Sequence, residues 1–571
     1  MVELTINNLQ VKAEEGMTIL EAAKSVGISV PTLCHLKDLV PSGACRICSV
    51  EVEGMRGLIP SCAYPVSEGM QVETNSPRVR RARKTIVELL VEDHPQDCLI
   101  CVRNKNCELQ DLSAVYGLRE HRYHGESKEH SVDLSSPSME RDPAKCILCG
   151  RCVRVCNEIQ KIGAIDFANR GFQSIVTTPY NKGLSQSDCI LCGQCILVCP
   201  TAALRENSSM KAVSTALQSK TKYTIVQIAP AVRATLGEEY QMPLGTDVTG
   251  KLVTGLRRLG FKKVFDTNFA ADLTIWEEAN ELVNRVKEGG SLPMFTSCCP
   301  GWVKYIETKA PELLAHVSSC KSPHEMEGAV LKTYYAKKLG INPKDVYVVS
   351  IMPCTVKKFE ASRAELSEHT MPDVDAVLTT RELVRFFEVA GIDFEDLNDD
   401  KFDDPLGEST GAAAIFGASG GVMEAALRMA YHTLTGEHLD NLELNAIRGA
   451  GGIKEATIPI GGLNLNVAVV NGIGNIGPIL DEIKAGTSKY HFIEVMSCPG
   501  GCINGGGQPI HQKTDKVLQR MKVLYDIDKK SVKRRSYENE SIKTLYKEFF
   551  IEQGSHRAHE ILHTSYHERK I

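Results

Sequence analysis

The sequence lacks the features by which exported, membrane-bound and nucleic-acid-binding proteins are usually recognised. Its first residues, MVELTINNLQV, contain no basic stretch followed by an apolar segment, so we expect no secretory signal. No run approaches the ~18 apolar residues that a membrane span needs. The 66 basic and 71 acidic residues give a net charge of −5, which argues against nucleic acid or an anionic membrane as the main partner. We therefore expect a cytoplasmic protein with no nucleic-acid or membrane partner.

Cysteine, by contrast, is abundant, with 21 residues in a chain of 571. At roughly 150 residues per domain, this length suggests about four domains. A chain of this size can bury a large core without disulfides. In a reducing compartment, clustered cysteines serve as metal ligands. We therefore expect thiolate ligands and no disulfide framework.

The first cysteine group has the spacing C-x10-C-x2-C-x13-C and follows a predicted hairpin and helix. Residues 4–7 and 9–11 read as two short strands, and Thr18 with Glu21 forms a capping box at the start of a helix. This is the order of a β-grasp ferredoxin, although the first gap is longer than in the plant type. The pattern predicts a [2Fe–2S] cluster rather than scattered core cysteines. Its ligands would be Cys34, Cys45, Cys48 and Cys62.

The second group consists of His94, Cys98, Cys101 and Cys107. Three thiolates leave a [4Fe–4S] cubane one ligand short, and the neutral imidazole of His94 can supply the fourth bond. Exchange of thiolate for imidazole should raise the reduction potential. Zinc in a Cys₃His site uses the same ligand types and stays open as an alternative. Iron–sulfur modules on both sides favour a cluster.

The third group is a run with the spacing C-x2-C-x2-C-x3-C that recurs 43 residues later. This is the pattern of bacterial two-cluster ferredoxins, in which the fourth cysteine of each run ligates the other cluster. Asn157 replaces the proline that usually follows the first run. One cubane would be held by Cys146, Cys149, Cys152 and Cys199, and the other by Cys189, Cys192, Cys195 and Cys156.

From residue 223 onward the sequence changes to an α/β pattern. Strands are predicted at residues 223–228, 345–351 and 466–470, with longer helical patterns between them. Three loops marked by glycine or proline carry further cysteines: TSCCPGW, MPCTVKK and MSCPGGC. Cysteines so far apart can share a metal only if the fold brings these loops together at the ends of strands.

These three loops resemble the signature motifs of the [FeFe]-hydrogenases. The resemblance covers essentially the whole chain, with the iron–sulfur modules in the order of the large, clostridial-type, ferredoxin-linked members. It implies an H-cluster, a [4Fe–4S] cubane joined through one cysteine to a two-iron subsite with CO, cyanide and azadithiolate ligands. The implied cubane ligands are Cys299, Cys354, Cys498 and Cys502, with Cys502 as the bridge.

The resemblance also implies roles for side chains around the cluster. Lys357 would donate a charge-assisted hydrogen bond to a cyanide. Taken alone, the acidic residues and the arginine at helical spacing are typical of a solvated salt-bridge face. Ala231 and His324 stand where close relatives often carry serine and glutamine. The implied proton relay is Cys298, Glu278, Ser318, Glu281 and Arg285, and the implied walls of the two-iron pocket are Pro230, Ala231, Met352 and Met496.

Three further features have ordinary explanations. The spacing of glycines at residues 472–477, with Glu494 downstream, fits a dinucleotide fingerprint. We expect Glu494 instead to position the neighbouring cysteine loop. We expect Cys320 to be a small buried residue. The C-terminal histidines at helical spacing predict an amphipathic helix rather than a metal site: His556, His559, His563 and His567.

The sequence thus predicts a multidomain α+β and α/β protein with four parts. These are a [2Fe–2S] β-grasp domain at 1–78, a His-Cys₃ [4Fe–4S] domain at 79–125, a two-cluster ferredoxin domain at 126–209 and a two-lobed α/β H-cluster domain at 210–571.

The resemblance implies reversible reduction of protons to H₂. Electrons from reduced ferredoxin or flavodoxin would pass through one [2Fe–2S] and three [4Fe–4S] clusters, and separate maturation proteins would build the two-iron subsite. The alternatives are an electron-transfer subunit like that of respiratory NADH dehydrogenases and an iron–sulfur assembly or sensor protein.

Overall fold

The structure is a computed structural model that describes residues 1–120, 122–127, 130–368, 371–510 and 515–570. Within these ranges we find no helix with the length and apolar character that a membrane crossing requires. The chain forms several modules in which helices and strands are mixed.

The N-terminal module is built on a five-stranded sheet. The predicted hairpin is present, with Val2–Ile6 antiparallel to Leu9–Ala13. The helix Ile19–Ser25 begins at the predicted capping box, in which Thr18 Oγ accepts from Glu21 N and Glu21 Oε2 accepts from Thr18 N. The strand order is Leu9–Ala13, Val2–Ile6, Gln71–Glu73, Ser49–Val52 and Ile59–Pro60.

Two helices follow and pack against each other. The predicted helix at 78–92 begins one residue earlier, at Pro77, and ends at Glu92. Ser76 caps it by accepting a hydrogen bond from Val79 N. Its partner is the helix Glu108–Val115. Their shared core includes Leu33 and Ile47 of the first module, so the two modules are packed together.

The sequence repeat of the third cysteine group is also a structural repeat. The short helices Arg151–Arg154 and Gln194–Val198 each follow a glycine in the left-handed region, Gly150 at φ 72° and Gly193 at φ 71°. Two small antiparallel pairs complete this module: Met139–Arg141 with Leu204–Glu206, and Asp166–Ala168 with Ile175–Thr177.

The remainder of the chain contains two four-stranded sheets. One is wholly parallel, in the order Lys263–Asp266, Tyr223–Ile228, Val346–Met352 and Ala376–Thr379. The other has the order Met294–Phe295, Phe492–Met496, Leu463–Asn471 and Ile453–Ile460, and only its last pair is antiparallel. The predicted strands are all present, one with the same bounds and two with shifted or extended ends.

Each of these sheets, with its surrounding helices, forms one lobe, and the helix Thr267–Glu288 joins the two lobes. Its residues Phe269 and Leu273 belong to the core of the first sheet, whereas Ile275 and Leu282 belong to that of the second. The longer helices around it are Met210–Gln218, Thr249–Leu259, Pro300–Lys309, Pro323–Val330, Thr380–Val389, Gly421–Thr435, Gly477–Lys484 and Asp515–Lys530. The shorter ones are Ala336–Leu339, Val356–Glu360, Gly411–Ala414, Glu540–Leu545 and His556–Leu562.

Candidate active site

A cavity with almost wholly apolar walls lies between the two sheets, where the three predicted cysteine loops meet. Each loop leaves the carboxyl end of a parallel strand, after Phe295, Met352 or Met496. Ligand sites in open α/β sheets form at such strand ends. The predicted residues that line the cavity are Pro230, Ala231, Cys298, Cys299, Met352, Cys354, Lys357, Met496, Cys498 and Cys502.

The four cysteines predicted to hold a cubane are therefore brought together, and all of them are free thiols. Burial raises the pKa of Cys354, and the nearby Cys502 and Cys299 raise it further. A group of thiols this close together, in apolar surroundings, is costly as thiolates unless a metal neutralises them. Thiolates are the ligands that iron–sulfur clusters use, so the site fits such a cluster.

Glycine allows the last cysteine loop to fold against its neighbours. Gly501 has φ +92°, and a Cβ there would lie 2.6 Å from Ser419 N. A Cβ on Gly505 would lie 2.3 Å from Pro353 O, in the loop of Cys354. These two positions explain why glycine flanks Cys502, because any side chain would push the loops apart.

Lys357 is buried at the cavity and held by a carboxylate. Its Nζ lies 2.6 Å from Glu360 Oε2 and donates to Cys298 O at 3.2 Å. Burial alone would lower the pKa of Lys357, but Glu360 holds it above its ordinary value. The lysine is therefore a permanent positive charge at an otherwise apolar wall.

His324 contacts the same carboxylate, with Nε2 2.7 Å from Glu360 Oε2. Burial and the charge of Lys357 lower the pKa of His324 to about 4. The imidazole is consequently neutral near pH 7 and donates from Nε2. Ser350 Oγ lies 3.3 Å from its Nδ1 and can donate to that bare nitrogen.

The residues of the predicted relay lie along the helix Thr267–Glu288 and the adjacent loops. Arg285 Nη2 donates to Glu281 Oε1 at 2.6 Å, and Ser318 Oγ donates to Glu281 Oε2 at 2.8 Å. Glu278 is fully buried, and within the described ranges no hydrogen bond of ordinary geometry reaches its carboxylate, although Ser297 N and the Ser318 hydroxyl lie near enough to lower its pKa slightly. Burial, and secondarily the charge of Glu281, raises the pKa of Glu278 to about 8. Burial raises the pKa of Cys298, and the nearby carboxylate of Glu278 raises it further.

The paired runs of the third cysteine group surround two separate cavities. One is lined by Cys146, Cys149, Cys152 and Cys199. The other is lined by Cys156, Cys189, Cys192 and Cys195. The fourth cysteine of each run thus lies with the first three of the other run.

The second group centres on an unpartnered histidine nitrogen. His94 Nδ1 lies 2.9 Å from Pro95 O, while Nε2 is buried and has no hydrogen-bond partner within the described ranges. A cavity lined by His94, Cys98 and Cys107 adjoins it. An imidazole whose Nδ1–H donates to a backbone carbonyl presents a bare Nε2 to a metal, so His94 fits the role of ligand.

The first group is held in and beside the N-terminal sheet. Cys34 lies beside Cys45, and Cys48 lies beside Cys62, so that each thiol shifts the pKa of its neighbour. The interaction with Cys62 lowers the pKa of Cys48 to about 7. The structure therefore brings all four thiols into two adjoining pairs.

The third cysteine module contacts the loops of the cavity directly, a contact that the sequence does not reveal. Gln160 Nε2 donates to Cys192 Sγ at 3.3 Å and to Ser497 O at 3.1 Å. Ser497 N in turn donates to Cys299 Sγ at 3.4 Å. Gln160 thus connects Cys192 of the third cysteine group with the Ser497 loop of the cavity.

The glycine run at residues 472–477 serves packing. A Cβ on Gly474 would lie 2.2 Å from Ile159 O in the third cysteine module. Glu494 accepts from Gly420 N at 2.6 Å and from Met423 N at 2.7 Å. Glu494 therefore fixes the start of the helix Gly421–Thr435. The preceding Ser419 N donates to Gly500 O at 3.1 Å, so Glu494 bears on the cysteine loop through this segment rather than by direct contact.

Family models match almost the entire chain. Residues 222–506 match the iron only hydrogenase large subunit, C-terminal domain, and residues 514–569 match the iron hydrogenase small subunit. Residues 1–77 match a 2Fe-2S iron-sulfur cluster binding domain. Residues 83–122 match the NADH-ubiquinone oxidoreductase-G iron-sulfur binding region, and 145–203 match a 4Fe-4S dicluster domain.

Individual proteins are similar over all or most of the chain. The NADP-reducing hydrogenase subunit HndD of Solidesulfovibrio fructosivorans is 47% identical over 582 residues, which cover 100% of this chain and 99% of that protein. Iron hydrogenase 1 of Clostridium pasteurianum is 45% identical and covers 99% of this chain and 100% of its own. A solved structure of HydA1 from Chlamydomonas reinhardtii matches 64% of this chain and all of its own, with 42% identity and a TM-score of 0.58.

Proposed function

The chain belongs to the iron-only, or [FeFe], hydrogenases, and from this we propose how its residues carry out the interconversion of protons and H₂. The observation that carries the proposal is the convergence of four free thiols, Cys298 and the buried Lys357 on one cavity. Neither an electron-transfer subunit nor a cluster-assembly protein needs Cys298 and Lys357 at that cavity.

We propose that the cavity holds an H-cluster. Cys299, Cys354, Cys498 and Cys502 would hold its cubane, and Cys502 would also bind the two-iron subsite with CO, cyanide and azadithiolate ligands. When bound, this group supplies the redox chemistry by which protons and electrons become H₂. Separate maturation proteins would assemble the subsite, because its non-protein ligands are not encoded by the chain.

The protein's own part is to shape and charge the pocket. Pro230, Ala231, Met352 and Met496 line the cavity and would exclude water from the reacting iron. Lys357, fixed by Glu360, would donate a charge-assisted hydrogen bond to a cyanide nitrogen.

Protons would reach the cavity along the residues beside the helix Thr267–Glu288. We propose the order Arg285, Glu281, Ser318, Glu278 and Cys298. Arg285 and Ser318 each hydrogen-bond to Glu281, which supports the outer half of this order. The raised pKa of Glu278 allows it to gain and lose a proton near neutral pH, as a general acid–base group must.

Electrons would enter through the accessory modules. We propose one [2Fe–2S] cluster, one [4Fe–4S] cluster ligated by His94 and two cubanes at the paired runs. Gln160 and Ser497 link Cys192 to Cys299, so a cubane held by Cys192 would be the last before the H-cluster. We place the first domain boundary before Pro77, since a cut at 78/79 would fall inside the helix Pro77–Glu92.

The electron partner would be ferredoxin or flavodoxin in the cytoplasm. The similarity to HndD, which is named as a subunit of an NADP-reducing hydrogenase, favours a second candidate: further subunits that link the chain to NADP. Purification of the native protein separates the two, because only the second predicts co-purifying subunits and H₂-dependent NADP reduction.

The proposal is tested by infrared spectroscopy of maturated, iron-replete protein. We expect bands from metal-bound CO and cyanide, and their absence would refute the H-cluster. Cys298→Ala should abolish H₂ turnover while the bands persist. Turnover near the wild-type rate in this variant would refute the relay.

A further inference from the structure

Three potential metal ligands converge outside the H-cluster cavity. We propose that Glu281, Cys320 and His563 form a Zn²⁺ site at the outer end of the proton relay, and that bound Zn²⁺ stops proton delivery. The inhibitory part rests on the proposed function, whereas the site itself rests on geometry alone.

The donor atoms have nearly the separations that zinc requires. Cys320 Sγ lies 4.0 Å from Glu281 Oε2 and 4.0 Å from His563 Nδ1, and all three donor atoms lie within 4.8 Å of one another. Tetrahedral zinc with Zn–S of about 2.3 Å and Zn–N of about 2.0 Å places neighbouring ligands roughly 3.6 Å apart. Movements of a few tenths of an ångström at each side chain would close the site.

The histidine is oriented as a metal ligand. His563 Nε2 lies 3.1 Å from Glu277 Oε2, so the carboxylate fixes the imidazole proton on Nε2 and leaves Nδ1 bare. Glu277 is itself held by Tyr546 Oη and the backbone N of Gly554, which both donate to it. Ser319 Oγ lies 2.8 Å from Nδ1 and would have to rotate away when the metal binds.

Glu281 presents one oxygen to the site and one to its counterion. Arg285 Nη2 binds Oε1, while Oε2 faces Ser318, Ser319 and Cys320. The arginine therefore need not be displaced for Oε2 to bind a cation.

The backbone fixes Cys320 and His563 beside each other. The two residues form an isolated antiparallel bridge, flanked by hydrogen bonds from Lys321 N to Leu562 O and from Thr564 N to Ser319 O, each 2.8 Å long. Because the ligands come from segments joined by backbone hydrogen bonds, the site is largely formed before a metal arrives.

A solvent cavity supplies access and a fourth ligand. It is lined by Glu277, Glu281, His559 and His563, with the acidic Glu288 at its edge. A cation can enter through this acidic cavity, and water from it completes the tetrahedron, as in zinc sites with three protein ligands.

Binding has a defined proton balance. Zn²⁺ forms a bond to Cys320 Sγ, and the thiol proton leaves to solvent. The Oε2 lone pair of Glu281 is then bound to zinc and unavailable to a proton. Since Ser318 receives its proton from that oxygen in the proposed relay, H₂ evolution and oxidation should both stop, and a chelator should restore them.

The test uses maturated holoenzyme under anaerobic conditions with ZnSO₄ as the probe. Bound zinc is counted by equilibrium dialysis and mass spectrometry, and H₂ evolution is assayed with reduced viologen. We expect Cys320→Ser and His563→Gln each to bind one zinc per chain fewer than the wild type. Zinc should also inhibit each variant at least tenfold more weakly than the wild type, with inhibition measured against that variant's own zinc-free rate. His559→Gln, which alters the exposed neighbour of His563, is the matched control and should retain both.

The outcomes separate the site from the relay. Unchanged zinc stoichiometry in both variants would overturn the site. Zinc that binds as expected without slowing wild-type turnover would uphold the site and overturn the blockade, and with it the role of Glu281. If a variant loses its clusters, zinc X-ray absorption of the wild type decides: one sulfur with nitrogen and oxygen ligands supports the site, and a coordination shell without sulfur refutes it.

Discussion

Glu360 Oε2 lies 2.6 Å from Lys357 Nζ, and both groups are buried beside the cavity. Burial alone would raise the pKa of Glu360, but Lys357 and His324 hold it at about 2. The carboxylate therefore stays charged throughout the working pH range and fixes the ammonium group against the cavity wall.

Replacement of that carboxylate should disturb Lys357. Glu360→Gln leaves the lysine charge buried without its counterion, which is costly. We expect at least tenfold slower H₂ evolution and shifted cyanide bands, measured by infrared spectroscopy with iron content as a check on assembly. Glu312→Gln, which removes an exposed partner of Lys484, is the control. Unshifted cyanide bands in Glu360→Gln would contradict the role of Lys357.

The neutral histidine beside this pair should be replaceable by glutamine. An amide at position 324 can still donate to Glu360, as the Nε2–H of His324 does. We expect His324→Gln to keep H₂ evolution within about threefold of the wild type, and His324→Leu to lose more because Glu360 loses a donor. Equal rates in the two variants would show that the hydrogen bond is dispensable.

The pKa of Glu278 predicts an alkaline limit of H₂ evolution. As the pH rises through about 8, this carboxyl loses the proton that it must pass on, so the rate should fall. Glu278→Gln should lower turnover about 10²–10⁴-fold. Glu288→Gln, on the same helix but exposed, should not. Stopped-flow rates of H₂ evolution between pH 6 and 9 check this prediction. A rate that does not fall near pH 8 would contradict it.

The same group predicts a stability effect. Between about pH 4.5 and 8 the folded protein holds a proton on Glu278 that the unfolded chain releases, so stability falls as the pH rises. Glutamine cannot ionise and avoids this loss. The apparent Tm of Glu278→Gln relative to the wild type should therefore increase from pH 5 to pH 8, in scanning calorimetry. A constant difference would show that the carboxyl is not buried in the neutral form.

Ligation by His94 predicts the reduction potential of one accessory cluster. His94→Cys adds a negative ligand and should lower that midpoint potential, on the order of 100 mV. An EPR-monitored redox titration would detect the change, with the other clusters as internal controls. If the site holds zinc instead, the EPR signal of one cluster is missing from the wild type, and His94→Cys changes no midpoint potential.

Much of the site can be predicted from the sequence because cluster ligands obey local spacing. The repeat alone predicts that Cys156 and Cys199 each serve the cluster of the other run, and in the structure each lies with the first three cysteines of that run. Lys357 and Glu278 have no such signature, and only resemblance to a family identifies them. The residues around them cannot be predicted even by resemblance, because the role of a carboxylate such as Glu360 depends on its burial in the folded protein.

The contacts that the sequence does not reveal join distant segments. Gln160 and Ser497 are separated by 337 positions, and His563 and Glu277 by 286. The helix predicted from the C-terminal histidines is present but ends at Leu562, so His563 leaves the helical pattern and points inward. Tertiary packing alone determines such pairs.

If Cys192 holds a cluster as proposed, its hydrogen bond from Gln160 would make the contact with the cavity loops depend on the cluster's oxidation state. An N–H donor binds a sulfur more strongly as that sulfur gains electron density. Each electron that arrives on this cluster would therefore strengthen the junction across which it must next move. Each departing electron would weaken it. One neutral amide would thus couple electron transfer to part of the contact between the two regions.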